Sequence, residues 1–356
     1  MVTIGVIGTG NVSAQYFKGV REFAGITIGA CADSDQARAQ HAAAEWSVPR
    51  ALTVDELLAD SGIDIVLNLT IPDVHAEISL RAIQAGKHVY SEKPLAVSLS
   101  DAHAVLKAAA ERGLRVGCAP DTFLFAEHQT GRKLLDEGVI GDPVAAAGFF
   151  MGRGPEGWHP NPAFFYQPGA GPLFDVGVYW VTCFVTLLGA VRTVTAAARA
   201  SFPERIAGDG RRIPVNVDTH ISASLECESG AIATLISSFD VQGHRLPRLE
   251  LYGAKGTLAL PDPNGFDPSV RLYIPNGAEW VEQDQPYNRA WRRGVGLADM
   301  ANAIHEGRPH RASGELALHV LEVMHGIIEA AHSGKRVSIE SRPERPPLLP
   351  LPVPAW

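Results

Sequence analysis

Short apolar runs at residues 3–7, 26–32, 64–70, 87–91 and 115–119 punctuate the first third of the chain. Stretches of helical period lie between them, such as Ala76 to Ala85 and Leu99 to Glu111. Runs this uniformly apolar predict strands buried on both faces, and their alternation with helices predicts a doubly wound parallel sheet. Gly86 and Gly113 each follow a predicted helix directly, the position at which glycine ends helices most readily. Pro120 follows the last of these strands, and a domain boundary is expected near residues 119–124.

Beyond that point the pattern changes. A helix over about 125–138, stopped by Gly138, leads into the run Pro143 to Met151. Longer β-like segments follow at Thr193–Ala200, His220–Glu226, Ala231–Phe239 and Arg248–Tyr252. The turns Ser229-Gly230 and Ala254-Lys255-Gly256 are of the hairpin kind, so the second sheet is expected to be mostly antiparallel. One face of it needs cover, and helices at about 125–138, 172–188, 295–306 and 315–333 are available. The expected fold is therefore α/β: a parallel sheet over residues 1–122, then an α+β domain with an open, mostly antiparallel sheet over 123–340. The tail, 341–356, holds six prolines and is expected to run extended and docked on the body.

Composition narrows the class. At 356 residues the chain is long for one core, which agrees with two domains. Hydrophobic residues make up 46% and charged residues 20%, the profile of a folded globular protein. Its net charge of −8, without a basic block, argues against a nucleic-acid partner. Cys31, Cys118, Cys183 and Cys227 are widely spaced and read as buried free thiols of a reducing compartment. The chain enters its first strand at Val2 with no secretory signature, and no apolar stretch is long enough to span a bilayer. A cytoplasmic protein away from membranes is expected. The histidines, His220, His244, His319 and His325 among them, show no metal-ligand spacing, so no metal is expected.

Two stretches carry candidate chemistry. Gly8-Thr9-Gly10-Asn11-Val12-Ser13 follows a strand and opens a helix, matching G-x-G-x-x-G except for serine at the last position. Such a turn lets backbone approach a pyrophosphate at a helix N-terminus. Asp33, where the second strand ends, is placed to accept hydrogen bonds from adenosine ribose hydroxyls, with Ser34 beside it. The same Asp33-Ser34-Asp35 run is also good helix-capping chemistry. A carboxylate there would repel a 2′-phosphate, which favours NAD, while Arg38 one turn later keeps NADP as the alternative.

Lys93, in Glu92-Lys93-Pro94, stands just past the strand ending near residue 91. Ligands of open α/β sheets bind outside the carboxyl ends of strands, so this lysine can share a crevice with the glycine turn. Farther on, Gly169-Ala170-Gly171-Pro172-Leu173-Phe174-Asp175-Val176-Gly177-Val178-Tyr179 reads as the start of a helix. Asp175 and Tyr179 are four residues apart and share a face. A cation, an anion and a titratable hydroxyl are what alcohol oxidation by hydride transfer requires. The loop Arg153 to Asn161 contributes Trp158, a flat apolar wall for a sugar face, and His159, a second acid/base. Core packing for Trp158 and a surface role for His159 are the plainer alternatives.

Gly8-Thr9-Gly10, Glu92-Lys93-Pro94 and the Gly-x-Gly-x-Leu-x-Asp-x-Gly-x-Tyr run together resemble the Gfo/Idh/MocA family. The resemblance extends in order over nearly the whole chain, through Asp64 to Thr70 and His75. It implies a Rossmann domain followed by an open-faced sheet domain, and oxidation or reduction of sugars, polyols or cyclitols with NAD(P). It also implies that Lys93 contacts substrate and cofactor, that Asp175 positions substrate, and that Gly8, Gly10, Asn11, Val12, Asp33, Ser34, Thr70, His75 and Glu92 line the cofactor site. Many members carry histidine as the acid/base where this chain has Tyr179, which points to the tyrosine-bearing branch. A free tyrosine titrates near ~10, and a neighbouring ammonium would lower that value. A homodimer or homotetramer is implied as well. Two other readings compete: an NAD-dependent glycosidase that oxidises its sugar only transiently, and a catalytically silent sugar or NAD sensor on the same fold.

Overall fold

The computed structural model describes residues 1–277 and 279–352. Two compact units emerge, neither of them a single run of residues. One comprises Met1–Phe125, Tyr287–Leu321 and the chain from Leu349 onward; the other comprises Ala126–Pro286 and Glu322–Leu348.

The first unit is built on six parallel strands: β1 (Val2–Ile7), β2 (Ile26–Ala32), β3 (Ala51–Leu52), β4 (Ile65–Asn68), β5 (His88–Ser91) and β6 (Val116–Cys118). Their order is β3-β2-β1-β4-β5-β6, so the direction of winding reverses between β1 and β4. That reversal opens a crevice at the carboxyl ends of the two strands. Ile65 to Asn68 and the last four residues of β1 are buried, as the unbroken apolar runs require. The crossover helices are α1 (Ser13–Val20), α2 (Gln36–Trp46), α3 (Val54–Ala59), α4 (His75–Gln84) and α5 (Leu99–Ala110). Their starts are chemically marked. The Asp35 side chain accepts from the Ala37 and Arg38 amides, Thr53 and Glu56 form a reciprocal capping box, and Ser98 accepts from the Asp101 amide. The two-residue β3 is too short to show a period, and sequence reading missed it.

The second unit carries nine strands in the order β16-β15-β14-β13-β7-β12-β11-β8-β17. The strands are β7 (Pro143–Met151), β8 (Val191–Arg199), β11 (His220–Cys227), β12 (Ile232–Ser238), β13 (Leu249–Gly253), β14 (Thr257–Leu260), β15 (Arg271–Tyr273), β16 (Val281–Glu282) and β17 (Val337–Ser338). A separate hairpin pairs β9 (Glu204–Ile206) with β10 (Arg212–Pro214). Neighbours in the large sheet are antiparallel except β7 and β12, which run parallel. Strand β11 shows one buried and one half-buried face in strict alternation. The cover comes from α6 (Ala126–Asp136) and from α7 (Val178–Leu188), every residue of which is buried. Gly148 on β7 gives α7 room, since a Cβ there would collide with Trp180 and Phe184.

Helix α8 (Val295–Glu306) corrects the sequence reading, which offered it as cover for the antiparallel sheet. It lies in the first unit, where Asp121 accepts the Gly294 and Gly296 amides at its start, at 2.9 and 3.0 Å. Its apolar residues were visible in sequence, but nothing in their spacing tells which sheet they cover. Helix α9 (Gly314–Ser333) belongs partly to each unit. In the tail, Arg345 donates to the Leu187 carbonyl (2.7 Å) and the Pro346 carbonyl accepts from Arg132 (3.2 Å). The last four residues of the expected extended tail, 353–356, lie outside the described residues. Among the described residues no helix is long and apolar enough to cross a membrane.

Candidate cofactor and substrate sites

A cleft of about 460 Å³ opens over β1 and β4 in the first unit, and Gly8, Gly10, Asp33, Ser34 and Thr70 line it. Gly8 has φ +98°, and a Cβ on it would lie 2.6 Å from the Leu69 carbonyl. Only glycine fits there, both for its φ and for the approach of β4. A Cβ on Gly10 would meet nothing within 4 Å, so the backbone there faces open space. After Asn11, Val12 is the N-cap of α1 and makes no side-chain capping bond. The Ser13 and Gln15 amides bond the Gly10 and Val12 carbonyls at 3.0 and 3.1 Å, so what this helix start offers an anion is its dipole and the open backbone at Gly10. Ser13, at the position of the missing third glycine, is buried and donates its hydroxyl back to the Gly10 carbonyl at 2.7 Å. These features fit the pyrophosphate of a dinucleotide.

Asp33 is deeply placed and heavily bonded. One carboxylate oxygen accepts from the Thr9 amide (2.8 Å) and hydroxyl (3.0 Å); the other accepts from the Asp35 amide (2.9 Å) and Arg38 (2.7 Å), with Ser34 at 3.3 Å. Burial alone would raise its pKa, but the Asp35 and Thr9 bonds outweigh it and hold the carboxyl below its ordinary value. The group is anionic at neutral pH. Arg38 therefore reaches back to the ribose-side carboxylate, a contact the sequence left open. Arg81, from α4, lines the opposite part of the cleft and pairs with Asp55.

The strand-end residues form a second layer. His75 is 1% exposed, with Nδ1 2.7 Å from the Pro94 carbonyl and Nε2 3.0 Å from the Thr70 carbonyl. It is not among the cleft-lining residues and instead spans the backbone of two loops. Burial pulls its pKa down. Asn68, fully buried, accepts from the Thr70 hydroxyl at 2.6 Å and donates to the His75 carbonyl at 3.0 Å. Glu92 is buried too, accepting from the Tyr16 hydroxyl (2.8 Å) and the Lys93 amide (2.9 Å). Burial and the Glu92 charge push the Tyr16 phenol well above its ordinary value, so it stays a donor. The backbone carrying Lys93 is thereby clamped from below. Tyr16 was not singled out from sequence; its helix position looked like plain core.

In the second unit the predicted helix over 172–188 is divided. Leu173–Gly177 forms a π-turn, with the Val178 amide bonding back to the Leu173 carbonyl, before α7 continues. Asp175 lies on this π-turn and is half-buried, whereas Tyr179 lies in the first turn of α7 at 4% exposure. π-Turns inside helices are frequent at functional sites. Gly177 leaves room for side chains: a Cβ would stand 3.0 Å from Leu173 and 3.2 Å from Ser237.

Trp158 is 72% exposed, so it is not core. It meets His159 edge-on at 5.4 Å, and His159 in turn packs edge-on against Phe164 and Phe165 at 5.6 and 5.0 Å. His159 Nδ1 accepts from the Asn161 amide at 3.1 Å, which leaves the ring proton on Nε2. In the same unit Glu156, Arg205 and Asp240 form a buried ion-pair group, with the guanidinium over the Tyr166 and Phe202 rings. Sequence reading found none of the three, for they lie far apart in the chain and each looks like an ordinary surface charge.

A parallel sheet with a dinucleotide cleft at its reversal point, followed by a sheet domain, defines a nucleotide-binding oxidoreductase architecture. Residues 2–119 match the family described as oxidoreductases with an NAD-binding Rossmann fold, and residues 128–259 match the GFO/IDH/MocA C-terminal domain. The chain belongs to the GFO/IDH/MocA oxidoreductase family and is an NAD-binding oxidoreductase. It is 27% identical to 1,5-anhydro-D-fructose reductase of Ensifer adhaerens over 95% of this chain and 98% of that protein. It is 26% identical to D-xylose 1-dehydrogenase (NADP(+)) 2 of Haloferax volcanii, over 94% and 99% of the two chains. Levoglucosan dehydrogenase, solved in complex with NADH and L-sorbose, shares the fold with a TM-score of 0.83 at 21% identity, covering 96% of this chain and 99% of that one.

Proposed function

We propose that this protein is an NAD-dependent dehydrogenase or reductase acting at a hydroxyl or carbonyl carbon of a sugar, glycoside or cyclitol. The observation that carries the reading is the Gly8–Gly10 turn with its bonded Asp33, in a chain matched by both halves of the family. Bound NAD would supply the hydride acceptor. The Gly8 and Gly10 backbone and the start of α1 take its pyrophosphate, Asn11 and Val12 line the turn, and Asp33 with Ser34 takes the ribose. Asp33 repels a 2′-phosphate, so NAD is preferred over NADP. Thr70 contributes to the cofactor wall, while His75 and Glu92 act behind it by fixing the loops of Thr70, Pro94 and Lys93.

Lys93 stabilises the negative charge that develops on the reacting oxygen, Asp175 orients the substrate, and Tyr179 takes the hydroxyl proton. Trp158 offers its exposed face to the sugar ring, and His159 bonds a substrate hydroxyl through Nε2. Sugar-directed relatives that align over nearly their full length support this substrate class. The four buried free thiols support a cytoplasmic location, and the open sheet face supports a homodimer or homotetramer.

The test is NADH formation at neutral pH over D-xylose, D-glucose, levoglucosan and myo-inositol, followed by Lys93→Met. Loss of a transition-state contact of this kind costs ~100- to 1,000-fold in turnover, with NADH binding little changed. Near-normal turnover in folded Lys93→Met would remove the lysine from the mechanism.

A further inference from the structure

The segment from Gly152 to Gln167 holds no long regular element, only short 3-10 turns at Pro155–Gly157 and Pro162–Tyr166. Backbone so irregular keeps one shape only when side chains hold it. Here the holding group is ionic and buried. Glu156 turns inward, accepts from the Tyr166 hydroxyl, and lies 3.3 Å from Arg205, whose side chain is 10% exposed. Arg205, on β9, also pairs with Asp240 just past β12 and donates to the Phe239 carbonyl at 3.3 Å. Asp240 completes the group by accepting from the Thr219 hydroxyl at 2.7 Å. The guanidinium lies over the rings of Tyr166 and Phe202, with centroids at 5.6 and 5.0 Å.

One cation thus joins three separate pieces: the Glu156 turn, the β9–β10 hairpin and the end of β12. Backbone bonds follow the same route, from Gly208 to the Glu156 carbonyl (3.2 Å) and from Asn216 to the Tyr166 carbonyl (2.9 Å). Gly154, at φ +90°, completes the fit, because a Cβ there would overlap the Glu156 carboxylate and the Tyr166 hydroxyl. Ions are a poor choice if stability alone is wanted, since well-packed apolar residues hold a core at least as firmly. What a bonded charge group adds is direction: each oxygen and N–H admits one geometry.

We propose that Arg205 is a positioning residue that braces residues 153–166 and so sets substrate affinity through Trp158. The proposal rests on the reading above that this segment meets the substrate. Arg205→Met keeps an unbranched apolar stem and removes the charged guanidinium. Arg153 is exposed, so trypsin cleavage of the Arg153–Gly154 bond, followed by mass spectrometry on the cofactor-free protein, reports the bracing without any activity. Cleavage there is expected to accelerate at least ~10-fold, in proportion to the opened population. KM for whichever of D-xylose, D-glucose, levoglucosan or myo-inositol is turned over is expected to rise ~10-fold, with kcat within about threefold and NADH affinity unchanged. In a Trp158→Ala background Arg205→Met should add little further, because both changes act through one contact.

Should Arg205→Met fail to fold, Glu156→Gln keeps the shape of the turn while weakening the ion pair, and the same readings apply. Unchanged cleavage in a folded variant overturns the proposal, as do KM effects that simply multiply with Trp158→Ala. Faster cleavage with unchanged KM overturns the link to substrate while leaving Lys93, Asp175 and Tyr179 in their assigned roles. A wild-type protein that turns over none of D-xylose, D-glucose, levoglucosan and myo-inositol sinks the functional reading instead, and cleavage alone then decides whether Arg205 braces the segment.

Discussion

The turn at Gly8–Gly10 and the segment around Trp158 each hold irregular backbone in one shape, and they do so by opposite means. In the first, a glycine at φ +98° lies against the Leu69 backbone and the nearby Asp33 carboxylate accepts the Thr9 amide. Everything needed lies within two residues of three strand ends, those of β1, β2 and β4. In the second, Arg205 gathers Glu156 and Asp240 from positions 49 and 35 residues away in the chain, over a floor of Phe165, Tyr166, Ala207, Ile213 and Phe239. The first device is steric and sits where three strands end, with little room for variation, although its parts are 24 and 61 residues apart in the chain. The second is electrostatic and lies outside any such repeated frame, which suits the substrate-facing role proposed for its segment.

The largest effect that sharpens the contrast is expected from the helix beside the assembled segment. Tyr179→Phe keeps the buried ring and deletes only the hydroxyl, so turnover should fall ~100- to 10,000-fold. His159→Asn should raise KM and leave kcat nearly intact. Steady-state kinetics on both variants decides between them: abolished turnover in His159→Asn with an active Tyr179→Phe would reverse the two roles.

A smaller but still large effect is expected at the local turn. Gly8→Ala must accept a strained φ, at a cost of about 1–3 kcal/mol, and also displace the Leu69 carbonyl. NADH affinity should drop at least ~10-fold, since 1.4 kcal/mol corresponds to that factor, and the melting temperature should fall. Gly10→Ala meets no neighbour and should melt like the wild type while still losing NADH affinity. Titration calorimetry and thermal melts of the pair measure this; equal melting temperatures for the two variants would contradict the steric account.

The smallest effect concerns pH. The Asp33 carboxyl is held below its ordinary value in the folded protein, because bonds from the Asp35 and Thr9 amides outweigh the opposing effect of burial. A depressed carboxylate contributes stability above its unfolded pKa of ~3.9 and loses it as pH falls through the folded value. NADH affinity should therefore stay level from neutral pH down to about 5 and decline only in the more acidic range. Asp33→Asn should remove that acidic decline and narrow the preference for NAD over NADP. An affinity already falling between pH 7 and 6 would show that another group controls the cleft.

Much of the first region was legible because its physics is local. A glycine needed for a positive φ, an aspartate at a strand end and serine, threonine or aspartate at helix starts announce themselves within a few positions. The strands at 2–7 and 65–68 could be read from their apolar runs, since four consecutive buried residues in each leave little polar alternation. The two-residue β3 and the π-turn at Leu173–Gly177 could not, the one for want of a period and the other because five-residue and four-residue bonding leave the same sequence trace.

By itself, then, the chain's order of residues determined two sheets of different kind and the glycine turn of the first, and it offered Tyr179 and His159 as candidates for moving a proton. The tertiary structure alone decided that α8 serves the first unit, that Tyr16 and His75 clamp the loops of Lys93 and Thr70, and that Arg38 bonds Asp33. It also decided that three distant, ordinary-looking charges, Glu156, Arg205 and Asp240, meet beside Tyr166. The physical reason is range. Backbone sterics and periodicity act between near neighbours and leave their mark in the sequence, whereas a buried charge chooses its partner only after the chain has brought the two together.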